Sequence, residues 1–368
     1  MRIGVILLGM GYYRRHIILV TALLLCGVFA TATNSRAQDV ESYDNRSAVI
    51  LSYHRIGEDR FPETSIRVSQ FQEHIGELVN EVYSLRSLDR LVSDFKNEEP
   101  IMARAVSLTF DGGHKSFLEH AWPLLKEYMI PATIFISTDL IDRQSEEYLS
   151  WSDLRMLKRH HLITIGIHPA GYTRLHDHSP QDIRYQINKA LGRYREELKS
   201  DPDFFAYPFG EMSHQYYEIV RAYDFAAALG QNSGAAHFHS DLYNLPRFVM
   251  TENYGNLDRF RQAIQSRPLP VTDISPADML VDSDTTPRIG FTLAQSLADK
   301  ADQLSCFISG QTPPHIERLG GGRVEIRPQA PFNADRTRMN CTIPVQTTQP
   351  GEDPAWRWFG MLFVTNER

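Results

Sequence analysis

The sequence predicts an α/β protein, a barrel of parallel strands followed by a smaller all-β module, and two observations carry that prediction. From about residue 48 to residue 250, apolar runs of strand length alternate with stretches at helical spacing. That is the pattern of βα units in a parallel sheet, and repeats of this length favour a closed barrel over an open sheet. Beyond Pro268 the style changes: Pro268, Pro270, Pro276 and Pro287 interrupt the chain, and short alternating runs follow. Ahead of both, Arg2, Arg14 and Arg15 precede the apolar run 17–30, the length of a signal-peptide core and short of the roughly 20 residues that span a bilayer.

These features divide the chain into a signal peptide at 1–37, a barrel at 38–268 and a C-terminal β module at 269–368. Ser35-Arg36-Ala37 presents small residues at the two positions a signal peptidase checks, and Ala30-Thr31-Ala32 is a second cut site. Removal would leave no transmembrane span, and the mature protein is expected in the periplasm or outside the cell. It would keep Cys306 and Cys341 as its cysteines. In an oxidising compartment their simplest state is a disulfide, worth roughly 3 to 4 kcal/mol in the chain-entropy account. Two buried free thiols are the alternative. A length of about a hundred residues and an internal disulfide fit an immunoglobulin-like module. A net charge of −7 without a Lys/Arg cluster beside aromatic residues argues against nucleic acid as a partner.

Taken in order, run 48–54 is a buried strand with His54 at its exit. Phe71, Ile75, Leu78 and Val79 repeat at helical spacing behind a capping-box signal at Ser69, and Ser87 opens a second helix carrying Leu88, Leu91, Val92 and Phe95. Val106, Leu108 and Phe110 then alternate with Ser107 and Thr109, and Asp111 is followed at once by Gly112 and Gly113. This reads as a strand ending in a tight loop that aims a carboxylate outward, at the end where parallel α/β proteins keep their chemistry. Ser116 with Glu119 can cap a helix that Pro123 kinks or restarts. Strand 132–136, helix 151–160 and strand 163–167 follow, the last delivering His168. Ser179-Pro180 opens a helix with Ile183, Ile187, Leu191, Tyr194 and Leu198 on one face. Strand 204–206 leads into Tyr207-Pro208-Phe209-Gly210, and a helix through Ile219 precedes a strand near 225–228. The module's best strands are 323–327, 342–345 and 358–364.

The series Tyr53-His54-Arg55-Ile56-Gly57, Leu108-Thr109-Phe110-Asp111-Gly112-Gly113, Pro131-Ala132-Thr133-Ile134-Phe135, Ile165-Gly166-Ile167-His168, Phe205-Ala206-Tyr207-Pro208-Phe209-Gly210 and Leu245-Pro246-Arg247 resembles the polysaccharide deacetylases of the NodB-homology type. The likeness covers roughly residues 48 to 250 and is greatest to the exported poly-N-acetylglucosamine deacetylases. It implies an incomplete (β/α) barrel and removal of N-acetyl groups from an amino-sugar polymer or oligosaccharide. It also implies a divalent metal, zinc above others, held by one Asp and two His. By the same resemblance Asp111 matches the base, His54 the acid and His168 the first His ligand. Tyr207 and Pro208 match the groove motif, and Arg247 stands near the site.

Two positions depart from the family pattern. Gly112 stands where a metal-binding Asp is expected, and Tyr172 where the second His is expected. Losing two of three ligands weakens binding by about four to six powers of ten if each is worth roughly 3 to 4 kcal/mol. His114, His176 and His178 are candidate substitutes by residue type, although their spacing matches no recognised metal pattern and a solvated polar loop is the plainer reading. Tyr172 is carried as a substrate contact. Two functions follow: an exported deacetylase with a rearranged or weak metal site, or a catalytically dead relative that binds glycan or an export partner. Hydrolysis by Asp111 and His54 without metal would lack the Lewis acid and be slow.

Overall fold

In a computed structural model, residues 40–80, 83–345 and 355–366 are described. The expected signal peptide and both cut sites lie outside them. Strand β1 (Ser47–Tyr53) is buried on both faces. Helices α1 (Val68–Asn80) and α2 (Leu88–Lys96) follow, then β2 (Ala105–Asp111), which pairs parallel to β1. After a π-helical turn come α3 (Trp122–Glu127), β3 (Ala132–Ile136), α4 (Thr138–Asp142), α5 (Trp151–Lys158) and β4 (Ile163–Ile167). The unit closes with α6 (Pro180–Leu198), β5 (Phe204–Ala206), α7 (His214–Arg221), β6 (Ala227–Leu229) and α8 (Leu257–Ile264).

Strands β1 to β6 lie side by side in chain order, all parallel. The sheet curls into an incomplete barrel, whose seam is spanned by the segment 245–250. Leu245 bonds to Ala228 of β6 and to Gly230 just beyond it, and Met250 bonds to the Ser52 carbonyl of β1. The alternation of each strand splits the core in two. Leu51, Tyr53, Leu108, Phe110, Ile134 and Ile165 face outward onto the helices, while Ala48, Ile50, Ala105, Phe135, Phe204 and Leu229 face inward. Leu88, Leu91, Val92 and Phe95 of α2 join the inner cluster. The barrel interior is thus apolar toward α2 and becomes polar only toward the carboxyl ends of its strands.

Local signals hold with two exceptions. Ser179 accepts from the Asp182 amide at 3.2 Å, so the predicted cap and Pro180 start α6. Ser116 does not cap, because its hydroxyl donates to Glu58 (2.7 Å) and accepts from the Ile56 amide (3.2 Å); the helix restarts at Trp122, beside Pro123. Helix α1 begins at Val68, ahead of the Ser69 cap its spacing predicts.

From Arg267 onward the chain forms two sheets. One contains β7 (Val271–Ser275), β8 (Ile289–Leu293), β10 (His315–Gly320) and β11 (Arg323–Arg327), in the order β7-β8-β11-β10. The other is built on β9 (Ser305–Ile308), β12 (Arg336–Pro344) and β13 (Trp356–Thr365), with Phe359 of β13 packed edge-on against Phe291 of β8 at 5.2 Å. Cys306 and Cys341 form a disulfide between directly paired residues of β9 and β12, within one sheet. The predicted cysteine pairing holds; the bridge of an immunoglobulin domain, by contrast, joins its two sheets. Trp358 of β13 docks edge-on against Phe248 at 5.3 Å, with the Arg259 guanidinium over both rings.

Candidate active site

Register brings the site residues together. Tyr53 pairs with Phe110, Asp111 with Phe135 and Ile136 with Ile167, so His54, Asp111 and His168 leave β1, β2 and β4 at one mouth of the barrel. Residues at even spacing share a face, which adds Ser52 and Thr109 to the inward set. Segment 245–250 supplies the cation, since bridging the seam places Arg247 inside.

Arg247 and Asp111 are both fully buried, and their pairing is bidentate: Nη1 donates to Oδ1 at 2.7 Å and Nη2 to Oδ2 at 2.8 Å. Nη1 also donates to Thr109 Oγ1 (3.0 Å) and Nε to the Gly230 carbonyl (2.7 Å). Burial pushes the Asp111 carboxyl up, but Arg247, His168 and His54 together hold it well below the usual carboxylate range. It is ionised at any working pH. His54 Nε2 lies 3.9 Å from Asp111 Oδ2, and Gln231 Nε2 sits between them, 3.3 Å from His54 Nε2 and 3.4 Å from Asp111 Oδ2. With the Gln231 amide nitrogen donating to Nε2, the neutral His54 ring carries its proton on Nδ1, a buried atom without a protein partner.

His168 is held the other way round. Its Nδ1 donates to the Ala206 carbonyl at 2.7 Å, which leaves Nε2 as a buried acceptor with no protein partner. Burial lowers both imidazoles to about 4, against the opposing pull of Asp111. The Tyr172 ring stands edge-on to His168 at 4.7 Å and against Phe209 at 5.0 Å, and burial followed by Asp111 raises its phenol well above the ordinary value.

Other predicted residues lie elsewhere. Tyr207 is turned into the core: its hydroxyl donates to the Tyr243 carbonyl at 3.1 Å and its ring packs on Tyr216. Pro208 is buried beside it. His176 does not join the mouth. It sits where the barrel meets the β module, with Nδ1 3.5 Å from Glu211 and Nε2 3.1 Å from the Thr365 carbonyl. His178 is exposed and pairs with Asp177. His114 is buried close to the cleft. Sequence reasoning missed Ser52, Thr109 and Gln231. The first two were legible, standing two residues before His54 and Asp111 on the same strand face; Gln231 lies in a loop without periodicity.

The donor set does not fit the implied divalent ion. His168 Nε2 is one free donor, but Gly112 has no side chain, Tyr172 offers a phenol whose proton is held more tightly than usual, and Arg247 engages both Asp111 oxygens. Among the described residues no group of three or more His, Cys, Asp and Glu side chains could hold a metal ion.

Fold and site together define an α/β-barrel protein with a carboxylate, two imidazoles and a guanidinium at the carboxyl ends of its strands. Residues 99–228 match the polysaccharide deacetylase family, and the motif series resembles its NodB-homology type. It is 22% identical over 273 residues to a poly-beta-1,6-N-acetyl-D-glucosamine N-deacetylase of Staphylococcus aureus strain MSSA476, covering 66% of this chain and 94% of that protein. Against the enzyme of the same name from Escherichia coli K12 it is 23% identical, over 61% of this chain and 39% of that one. Among solved structures, Streptococcus pyogenes deacetylase PplD in complex with acetate aligns with a TM-score of 0.54 at 21% identity, over 59% of this chain and 98% of that one. IcaB from Ammonifex degensii gives 0.54 at 19% identity, over 60% and 96%. The structural likenesses establish the fold.

Proposed function

We propose that this protein is an exported hydrolase that removes N-acetyl groups from an amino-sugar polymer, with poly-β-1,6-N-acetylglucosamine as its substrate class. One observation carries the reading: an ionised carboxylate and two neutral imidazoles share the mouth of a deacetylase-family barrel. Water attacks the amide carbonyl and gives a proton to Asp111; the C–N bond breaks, acetate forms, and the amine nitrogen takes a proton from His54. A neutral His54 must first receive that proton, and Asp111 Oδ2 at 3.9 Å is the adjacent source. His168 Nε2 accepts a hydrogen bond from a sugar N–H or O–H. Arg247 orients Asp111, Tyr172 walls the sugar pocket, and Tyr207 and Pro208 shape the groove from behind. Export to the periplasm or beyond is supported by the N-terminal charge and apolar pattern together with the disulfide. The C-terminal layers keep the size of an immunoglobulin-like module, which we assign to packing against the barrel.

A second reading, glycan binding without turnover, is favoured by the glycine at 112 and the tyrosine at 172. Acetate release from poly-N-acetylglucosamine or chitooligosaccharide decides between them. Asp111→Asn should lower release by about a thousandfold or more while retaining oligosaccharide binding. Undiminished release would remove Asp111 from the base role, and binding without release by the unaltered protein would select the second reading.

A further inference from the structure

We infer that His114 has taken the volume that a ligand carboxylate at position 112 would need, so that this cleft cannot hold a divalent ion through its inherited ligand positions. The inference rests on reading the mouth as a deacetylase cleft. A Cβ on Gly112 would lie 2.6 Å from His114 Nε2 and 2.9 Å from its Cδ2, closer than real Cβ contacts come, and Gly112 has φ +96°, where a side chain is strained in any case. A side chain at 112 and the imidazole at 114 exclude one another.

His114 is not free to swing aside. It is 5% exposed, and its ring stacks on Tyr148 at 5.1 Å. The backbone around it is strapped to the facing loop by Leu149 N–H to the Gly113 carbonyl and Lys115 N–H to the Glu147 carbonyl, both 2.9 Å. Gly113 has φ +65°, and a Cβ on it would come within 3.1 Å of Ile136 and Ile141. Position 172 is closed in a similar way, with Tyr172 at φ +52° laying its ring between His168 and Phe209. Of the family's ligand positions, only His168 still offers a donor, its Nε2. Rebuilding the family's ligands therefore takes three changes rather than two, because restoring an Asp at 112 also requires His114 to leave.

The test is titration of the metal-stripped mature protein with zinc chloride by calorimetry and with cobalt(II) by visible absorbance. The unaltered protein should take up no stoichiometric ion. Gly112→Asp with Tyr172→His should gain nothing, whereas the same pair with His114→Ala should bind zinc at least about a hundredfold tighter than the unaltered chain. One equivalent of zinc on the unaltered protein, lost in His168→Ala, would overturn the inference, as would tight binding in the double variant with His114 intact. Should the variants fail to fold, imidazole NMR signals of the unaltered protein decide: movement of the His168 and His114 signals on adding zinc overturns it, and their constancy supports it. Acetate release by the stripped protein, recorded in parallel, bears on the hydrolase reading alone.

Discussion

Among the described residues, two buried histidine–carboxylate clusters shift their imidazoles in opposite senses. In the cleft, Asp111 is already neutralised by a bidentate guanidinium, so burial dominates and His54 and His168 fall to about 4. At the joint between barrel and module, burial likewise lowers His176, but Glu211 more than reverses it and raises the imidazole above its ordinary value. Glu211 is shared there among His176, Arg174 at 3.4 Å and Arg336 of the module at 2.9 Å. The same residue pair gives an imidazole that holds a proton weakly in one place and more tightly in the other: Asp111 lies 3.9 Å from His54, whereas Glu211 stands 3.5 Å from His176 and the Thr365 carbonyl adds a second direct partner.

The strongest way to break this comparison is to remove the arginine from each cluster. Arg247→Ala leaves a fully buried carboxylate with no ion-pair cation beyond neutral imidazoles, and should cost about 3 to 5 kcal/mol in denaturant unfolding. Arg336→Ala leaves Glu211 with Arg174 and His176 and should cost about 1 to 2 kcal/mol. Equal losses would mean that Asp111 is not the more dependent of the two.

A smaller effect separates them by pH. For His54 and His168 the folded value lies below the unfolded 6.5, so the unfolded chain binds more protons and stability falls as pH drops from about 6.5 toward 4, by about 3 kcal/mol for each group. His176 has the opposite sign: its contribution is present below the unfolded value and is lost as pH rises through its raised folded value. Midpoints measured across pH for His168→Gln and His176→Gln should flatten the acid limb and the neutral-to-alkaline limb respectively. A flattened acid limb in the second variant would erase the distinction. The smallest expected change belongs to Tyr207→Phe, which removes one hydrogen bond to Tyr243 worth about 1 kcal/mol and should leave acetate release within about twofold. A large loss of release would return Tyr207 to the substrate.

The mouth was legible because it depends on strand periodicity. A carboxylate before two glycines, and histidines closing two other apolar runs, fall at one end of a parallel sheet once the strands pair in register. Arg247 was legible through its motif. The destination of His176 was not: it depends on how the downstream β module docks, bringing Arg336 and the Thr365 carbonyl, the latter 189 residues away in sequence, to it. Nor did the neighbours of Tyr207 show in the sequence, since a tyrosine after a strand can turn either way. The disulfide partners could be read from their count in the mature chain; that they staple one sheet could not.

The order of strands, the end of the barrel that carries chemistry and the residue types offered there follow from the sequence alone, because alternation of period two is a local property of the chain. Only the tertiary structure decided how the charges cancel: that Arg247 crosses the seam to grip Asp111, and that an imidazole two residues beyond a glycine fills the space a carboxylate would have used. Both outcomes come from long-range packing, where side-chain volume and buried charge must be balanced at once and no short stretch of chain contains all the partners.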